Sequence, residues 1–274
     1  AGRKIIQSPS AVKQAAVRDN FPLFQPEILN KTACAELSLF SPDVFLVASY
    51  GKILPQEILD IPRQGSMNVH PSLLPKYRGP TPIQNALLNG DKETGVTIML
   101  MDEKMDHGAI LVQARFLLEE RPWRYPELHD KLAEIGGDLL ARTLLSWQEG
   151  KIKPIPQDES KATYTKHLAK EDGRIDWQQS ALYIERQVRA YAPWPGTHTQ
   201  AHGKTLKILR ASILPGTHAA SPGKTFLSPT KKLGVQTAQD AIVIEVLQPE
   251  GKKPMSSREF LLGHQDILAI TFHD

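Results

Sequence analysis

Apolar and polar positions follow two rhythms along this chain, and the change between them marks its organisation. Between residues 9 and 20, Val12, Ala15 and Ala16 recur at helical spacing and predict a helix. Ser41-Pro42-Asp43 then introduces VFLVASYG, a continuous apolar run ending in glycine. Such a run reads as a strand buried on both faces, as in a parallel sheet covered by helices. Two shorter strands are expected at SMNVH (66–70) and TGVTIMLM (94–101). Between them, Thr81 to Asn89 predicts a helix with Pro82 in its first turn and Gly90 as its terminator. Ala109 to Leu118 predicts another strand, and Tyr125 to Trp147 a long amphipathic helix with leucines at 128, 132, 139, 140 and 144. This order predicts an α/β domain, Rossmann-like, with a mostly parallel sheet.

After Gly150 the rhythm breaks. The stretch KIKPIPQDESKATYTKHLAKEDGRIDW holds charge clusters and prolines with little apolar periodicity, and reads as a linker draped over the surface. Beyond it, Ser180 to Ala190 predicts a short helix. Several β runs follow, KTLKILRASIL and DAIVIEVLQ the clearest, and SSREFLLGH predicts a capped terminal helix. A small OB-like β-barrel fits this strand density, and a sandwich fragment fits it too. The expected division is a first domain over 1–152, a linker over 153–175 and a second domain over 176–274.

A chain of 274 residues that is 41% hydrophobic can bury one large core or two modest ones. The net charge of +3 is unevenly spread: residues 1–150 carry 16 basic and 18 acidic side chains, whereas 151–274 carry 17 and 12. A basic second half points to an anionic partner, nucleic acid among them, or to an ordinary lysine-rich surface. The single cysteine, Cys34, excludes an internal disulfide and a cysteine-cluster zinc site, and reads as a small buried apolar residue. No apolar run reaches the length of a membrane span, and AGRKIIQSPSAVKQ lacks the apolar centre of a signal peptide. A soluble monomer is expected, bacterial and cytoplasmic or else in an organellar matrix.

The densest chemistry lies in NVHPSLLPKYRGPTPIQ, Asn68 to Gln84. If SMNVH is a parallel strand, Asn68 and His70 share a face at its carboxyl end, where ligand sites of open parallel sheets lie. A neutral imidazole can take a proton or bond a developing oxyanion, and the asparagine amide can donate to the same oxygen. Asp106, in MDEKMDHGAIL, is the candidate carboxylate: it follows the next strand, and the turn at His107-Gly108 can aim it inward. Singly, these are an ordinary polar histidine, a capping asparagine and a turn aspartate. Together, with no serine or cysteine nucleophile beside them, they suit a reaction whose nucleophile belongs to the substrate. His107 and His129 match no metal-ligand spacing, so no metal is expected.

NVHPSLLPKYRG, with Thr94-Gly95 and MDHGAIL, resembles the folate-dependent formyltransferases, whose pattern is Asn-x-His-Pro-Ser-Leu-Leu-Pro with a distal Asp ahead of a Gly. Within them, VASYGKILP, PIPQDESKATYTKHLAKEDGRIDW and RAYAPWPGT are similar to the branch acting on methionyl-tRNA, over nearly the whole chain. The resemblance implies transfer of formyl from 10-formyltetrahydrofolate to the α-amine of methionyl initiator tRNA, for translation initiation. It places the catalytic groups at Asn68, His70 and Asp106, and the folate-binding loop at Ser72, Leu73, Leu74 and Pro75. Asn68 and His70 would steady the oxyanion, and Asp106 would orient His70 and assist proton removal. Candidate tRNA contacts are Arg3 and Lys4, Lys166 and Lys170, and Lys204 and Lys207.

Members of this family begin with an apolar strand, a Gly-Thr-Pro turn, a helix and a second strand ahead of a basic loop. AGRK resembles the tail of that loop, so the first strand-helix-strand unit is expected to be absent from this sequence. Its loss would expose unpaired strand edges and leave the 274-residue chain poorly stable and weakly active. The same catalytic core also fits a formyltransferase acting on a sugar-nucleotide amine, or a 10-formyltetrahydrofolate hydrolase using water. A silent RNA-binding protein that keeps the fold is a third reading.

Overall fold

A computed structural model describes residues 9–216, 220–268 and 270–272. Its first helix, α1 (Ala11–Arg18), starts where extended Ser10 accepts the N–H of Lys13 on its hydroxyl. A helix absent from the sequence reading, α2 (Lys31–Leu39), starts in the same way at Asn30. Cys34 on α2 is half-buried, and its neighbour Ala33 is the residue that packs inside.

The expected strands form, but they pair differently. β1 (Phe45–Ala48) runs parallel to β2 (Ser66–His70), with the short helix α3 (Gln56–Leu59) between them. α4 (Pro82–Asn89) starts after Thr81, which makes no side-chain cap bond, with Pro82 in its first turn, and ends on Gly90, at φ +66. β3 (Glu93–Leu100) and β4 (Ile110–Leu117) then complete the sheet in the order β1-β2-β3-β4. β3 is antiparallel to both β2 and β4. Among the described strands the sheet is therefore mixed, with one parallel pair, rather than mostly parallel. An apolar run reports which faces are covered and says nothing of strand direction, so β3, buried at its six central positions, reads alike either way. β1 is also not buried on both faces: its positions alternate half-buried and exposed, and β2 is its only partner among the described strands.

α5 (Tyr125–Gln148) covers this sheet, with Leu128, Leu132 and Leu139 in the core. Its close approach depends on Gly136, where a Cβ would stand 2.9 Å from Val69 Cγ1. The second unit begins with α6 (Ala181–Ala190), capped by Ser180. β5 (Thr197–Ala201), β6 (Lys204–Leu214), β7 (Thr225–Leu227), β8 (Leu233–Gln236), β9 (Ala241–Pro249) and β10 (Met255–Ser256) follow, and α7 (Ser257–Gly263) opens with a Ser256–Glu259 capping box. These strands form one antiparallel sheet in the order β5-β6-β9-β8-β7, with β10 beside β9. Among the described residues β5 and β7 are not joined, so no closed barrel forms. Trp177, Ile184, Ile208, Ile244 and Phe260 lie in its core. No helix among the described residues is long and apolar enough to cross a membrane.

The segment 153–175 runs over the surface, with most of its residues exposed, and it is pinned there. Ile155 exchanges backbone hydrogen bonds with Ile110, Thr163 and Thr165 bracket Arg78 in the same way, and Gly173 and Ile175 are buried against the second unit. It is a strap held by polar contacts to backbone, which leave no apolar rhythm to read.

Candidate active site

β2 puts Asn68 and His70 on one face by its period of two. His70 is buried, with 4% of its surface exposed, while Asn68 is half-buried and reachable. Asp106 joins them by a route the sequence did not indicate. Because β3 is antiparallel, its end lies beside the start of β2, where Met101 N–H donates to Ser66 O at 2.8 Å. The following loop doubles back along β2 to bring Asp106 to the other end. Asp106 makes this turn itself, in the left-handed region at φ +49. Gly108 permits the return, since a Cβ there would stand 1.9 Å from Leu100 O.

The three side chains converge around the Asp106 carboxylate. Asn68 Nδ2 stands 3.4 Å from Oδ1, and His70 Nδ1 stands 3.6 Å from Oδ2. Oδ2 also accepts the N–H of Gly79 at 2.7 Å. The other ring nitrogen, His70 Nε2, lies 2.9 Å from Tyr77 O. A carbonyl only accepts, so Nε2 carries the hydrogen and Nδ1 of the neutral ring presents its lone pair to Asp106. Burial pushes the His70 imidazole below its usual range, against the opposing pull of Asp106 and the Tyr77 carbonyl. At neutral pH the ring is therefore neutral. It can accept a proton at Nδ1, next to a carboxylate that would stabilise the resulting cation.

The loop after β2 is fixed from beneath by Thr97 on β3. The buried Thr97 hydroxyl donates to Ser72 O at 2.6 Å and accepts from Leu74 N–H at 3.1 Å and Gln113 Nε2 at 2.9 Å. Ser72 and Leu74 are buried within the loop, Ser72 bonding Lys76 O. Leu73 and Pro75 keep part of their surface open. Leu73 lies over Gly95, where a Cβ would stand 2.6 Å from its Cδ2.

The basic candidates divide. Lys170 lines a cavity with Glu171, Arg174, His198, Thr199 and Gln200, of about 360 Å³. Burial, then the charges of Lys170 and Lys207, hold the His198 imidazole below its usual range, which places both cations near that ring. Lys166 pairs with Asp172 at 2.6 Å, and Lys204 stands exposed at the β5–β6 turn. Arg3 and Lys4 lie outside the described residues.

Comparison with known sequences bears on what these groups serve. The formyl transferase family matches residues 1–144, and the formyl transferase C-terminal domain family matches 167–265. Methionyl-tRNA formyltransferase of Roseiflexus castenholzii is 46% identical over 264 residues, covering 96% of this chain and 84% of that protein. The chain belongs to the methionyl-tRNA formyltransferases. HypX from Aquifex aeolicus in complex with tetrahydrofolic acid shares the fold at TM-score 0.62 and 22% identity, covering 84% of this chain and 40% of that one. An N-formyltransferase from Helicobacter canadensis in complex with folinic acid and dTDP-3-aminofucose shares it at TM-score 0.64 and 17% identity, covering 90% and 87%.

In this formyltransferase, groups that the sequence reading did not single out hold the candidate site together. They are the Tyr77 carbonyl, the Gly79 amide, Thr97, and the pair Arg78 and Gln157. Backbone groups carry no residue-type signal. Gly79 carried one that could have been used, a glycine inside a motif crowded with side chains; its φ is +103.

Proposed function

We propose that the protein transfers the formyl group of 10-formyltetrahydrofolate to the α-amine of methionine esterified to initiator tRNA, one copy of the chain supplying the whole site. The convergence of Asn68, His70 and Asp106 at one end of β2 carries this reading, in a chain nearly half identical to a methionyl-tRNA formyltransferase. The residues fit such a donor: Leu73 and Pro75 offer apolar surface in the loop that follows His70, while buried Ser72 and Leu74 shape that loop. When bound, the folate supplies the formyl carbon, whose bond to the donor nitrogen is exchanged for one to the methionine nitrogen as one proton passes between them.

The chain's own groups divide the remaining work. Asn68 offers an amide N–H to the formyl oxygen as negative charge develops there. Neutral His70 cannot do the same from Nδ1, because its one hydrogen is held by Tyr77 O. It serves instead, with Asp106, as the acceptor of the proton that the attacking amine gives up. Asp106 Oδ2, already bonded to Gly79 N–H, faces Nδ1 to stabilise the imidazolium.

On the acceptor side, Lys170, Arg174 and Lys207 around His198 form the basic surface best placed for tRNA phosphates, on a second unit that we read as OB-like. Lys166, Lys204, Arg3 and Lys4 are further candidates. An acceptor panel tests the reading: with labelled donor, label should pass to methionyl initiator tRNA. Label passing only to a sugar-nucleotide amine or to formate would replace it with another member of the family.

A further inference from the structure

Gln157, on the strap, stands between Arg78 and the loop that carries Asp106. Its Oε1 accepts from Arg78 Nε at 3.0 Å and Nη2 at 2.9 Å, and its Nε2 donates to Asp106 O and Gly108 O, both at 2.8 Å. Arg78 can only donate and the two carbonyls can only accept, so the amide is oriented from both sides. Arg78 is itself immobilised. It is fully buried, and its remaining N–H groups go to both Glu159 carboxylate oxygens and the Tyr164 hydroxyl. The strap backbone brackets it, with Arg78 N–H on Thr163 O and Thr165 N–H on Arg78 O, both at 2.8 Å.

What this network holds would not hold itself. Asp106 is a non-glycine residue in the left-handed region, a conformation that persists when its surroundings impose it. The pinned carbonyls are those of Asp106 itself and of Gly108, two residues on, so Gln157 fixes the peptide planes that aim the carboxylate.

We propose that Gln157, backed by Arg78, is a positioning residue for Asp106, so that the segment joining the two units completes the formyl-transfer site. This rests on the reading of Asp106 given above. Gln157→Glu keeps the side-chain length and the acceptor for Arg78 but turns oxygen toward two carbonyls. It is expected to lower kcat by about 10- to 100-fold, as small displacements of a reacting group do, with KM for donor and tRNA nearly unchanged. In an Asp106→Asn background the same substitution should cost less than about 2-fold, because residues that act through one another are not additive. Gln157→Met, which adds no charge, gives a second readout independent of turnover. By releasing Asp106 from His70, it should lower the His70 titration seen by NMR, as Asp106→Asn should too.

Unchanged kcat with an unmoved His70 titration would overturn the proposal, and so would equal losses in both backgrounds. A wild-type chain that formylates no tRNA would defeat the proposed acceptor, while the His70 titration would still decide whether Gln157 positions Asp106.

Discussion

His70 donates its Nε2 hydrogen to the carbonyl of Tyr77 at 2.9 Å, and this bond decides which face of the ring can do chemistry. The bare Nδ1 looks at Asp106 Oδ2 across 3.6 Å, too far for a direct hydrogen bond and near enough to stabilise a proton arriving there. The site is thus arranged to receive one proton, with Gly79 N–H holding the carboxylate in place.

The buried, neutral ring makes stability depend on pH. The folded His70 titrates below the unfolded value of about 6.5, so its contribution is fully present above that pH. It is lost as pH falls from about 6.5 through the lowered folded value, because the unfolded chain then binds the extra proton. Urea midpoints at pH 7.5 and 5.5 should therefore fall further apart for the wild type than for His70→Gln. An equal drop in both would show that His70 adds nothing to the slope.

Gly79→Ala is expected to damage fold and site together. Gly79 sits at φ +103, and a Cβ there would stand 2.7 Å from Thr165 O, so loop and strap cannot keep their contact. A loss of about 1–3 kcal/mol in denaturant unfolding is expected from the strain. Formyl transfer should fall as well, since Gly79 N–H also holds Asp106.

Thr97→Val should separate donor binding from chemistry. The Thr97 hydroxyl serves three partners beneath the Ser72–Pro75 loop, and valine leaves the Leu74 N–H and Ser72 carbonyl without it. Burying unpaired groups costs about 1–3 kcal/mol. The loosened loop should raise KM for the folate donor more than it lowers kcat, as initial-rate kinetics would report.

Several of these features were legible in the sequence and others were not, for physical reasons. Pro82 and Gly90 bounded α4 because proline and glycine act locally, and the capped helix expected at SSREFLLGH was legible for a similarly local reason. Asn68 and His70 were placed together because a strand's period is fixed. Asp106 was placed with them on a mistaken premise, a parallel β3, and the loop's reversal brought it there instead. Closure of the second sheet could not be read from strand density, since it depends on whether β5 meets β7. The anchoring of the strap was not legible because Gln157, Thr163 and Thr165 hold it through hydrogen bonds, to which hydrophobic periodicity is blind.

Charge removal at the strap should act on tRNA alone. Lys170→Ala is expected to weaken tRNA binding and to reduce the salt slope of log K by about 0.7–0.9 if one phosphate contact is lost. Lys166→Ala should change less, because Lys166 is engaged with Asp172. Filter binding across a salt series checks both, and equal effects would indicate a diffuse field rather than a contact at Lys170.

The most direct measurement is the single-turnover rate of formyl transfer from 10-formyltetrahydrofolate to methionyl initiator tRNA, for the wild type and for Asp106→Asn, with tRNA binding followed in parallel. Transfer by the wild type, a loss of about 100-fold or more in the variant and unchanged tRNA affinity are expected if Asp106 and His70 take the amine's proton. A variant that transfers formyl at the wild-type rate would contradict that assignment and move the chemistry away from the end of β2.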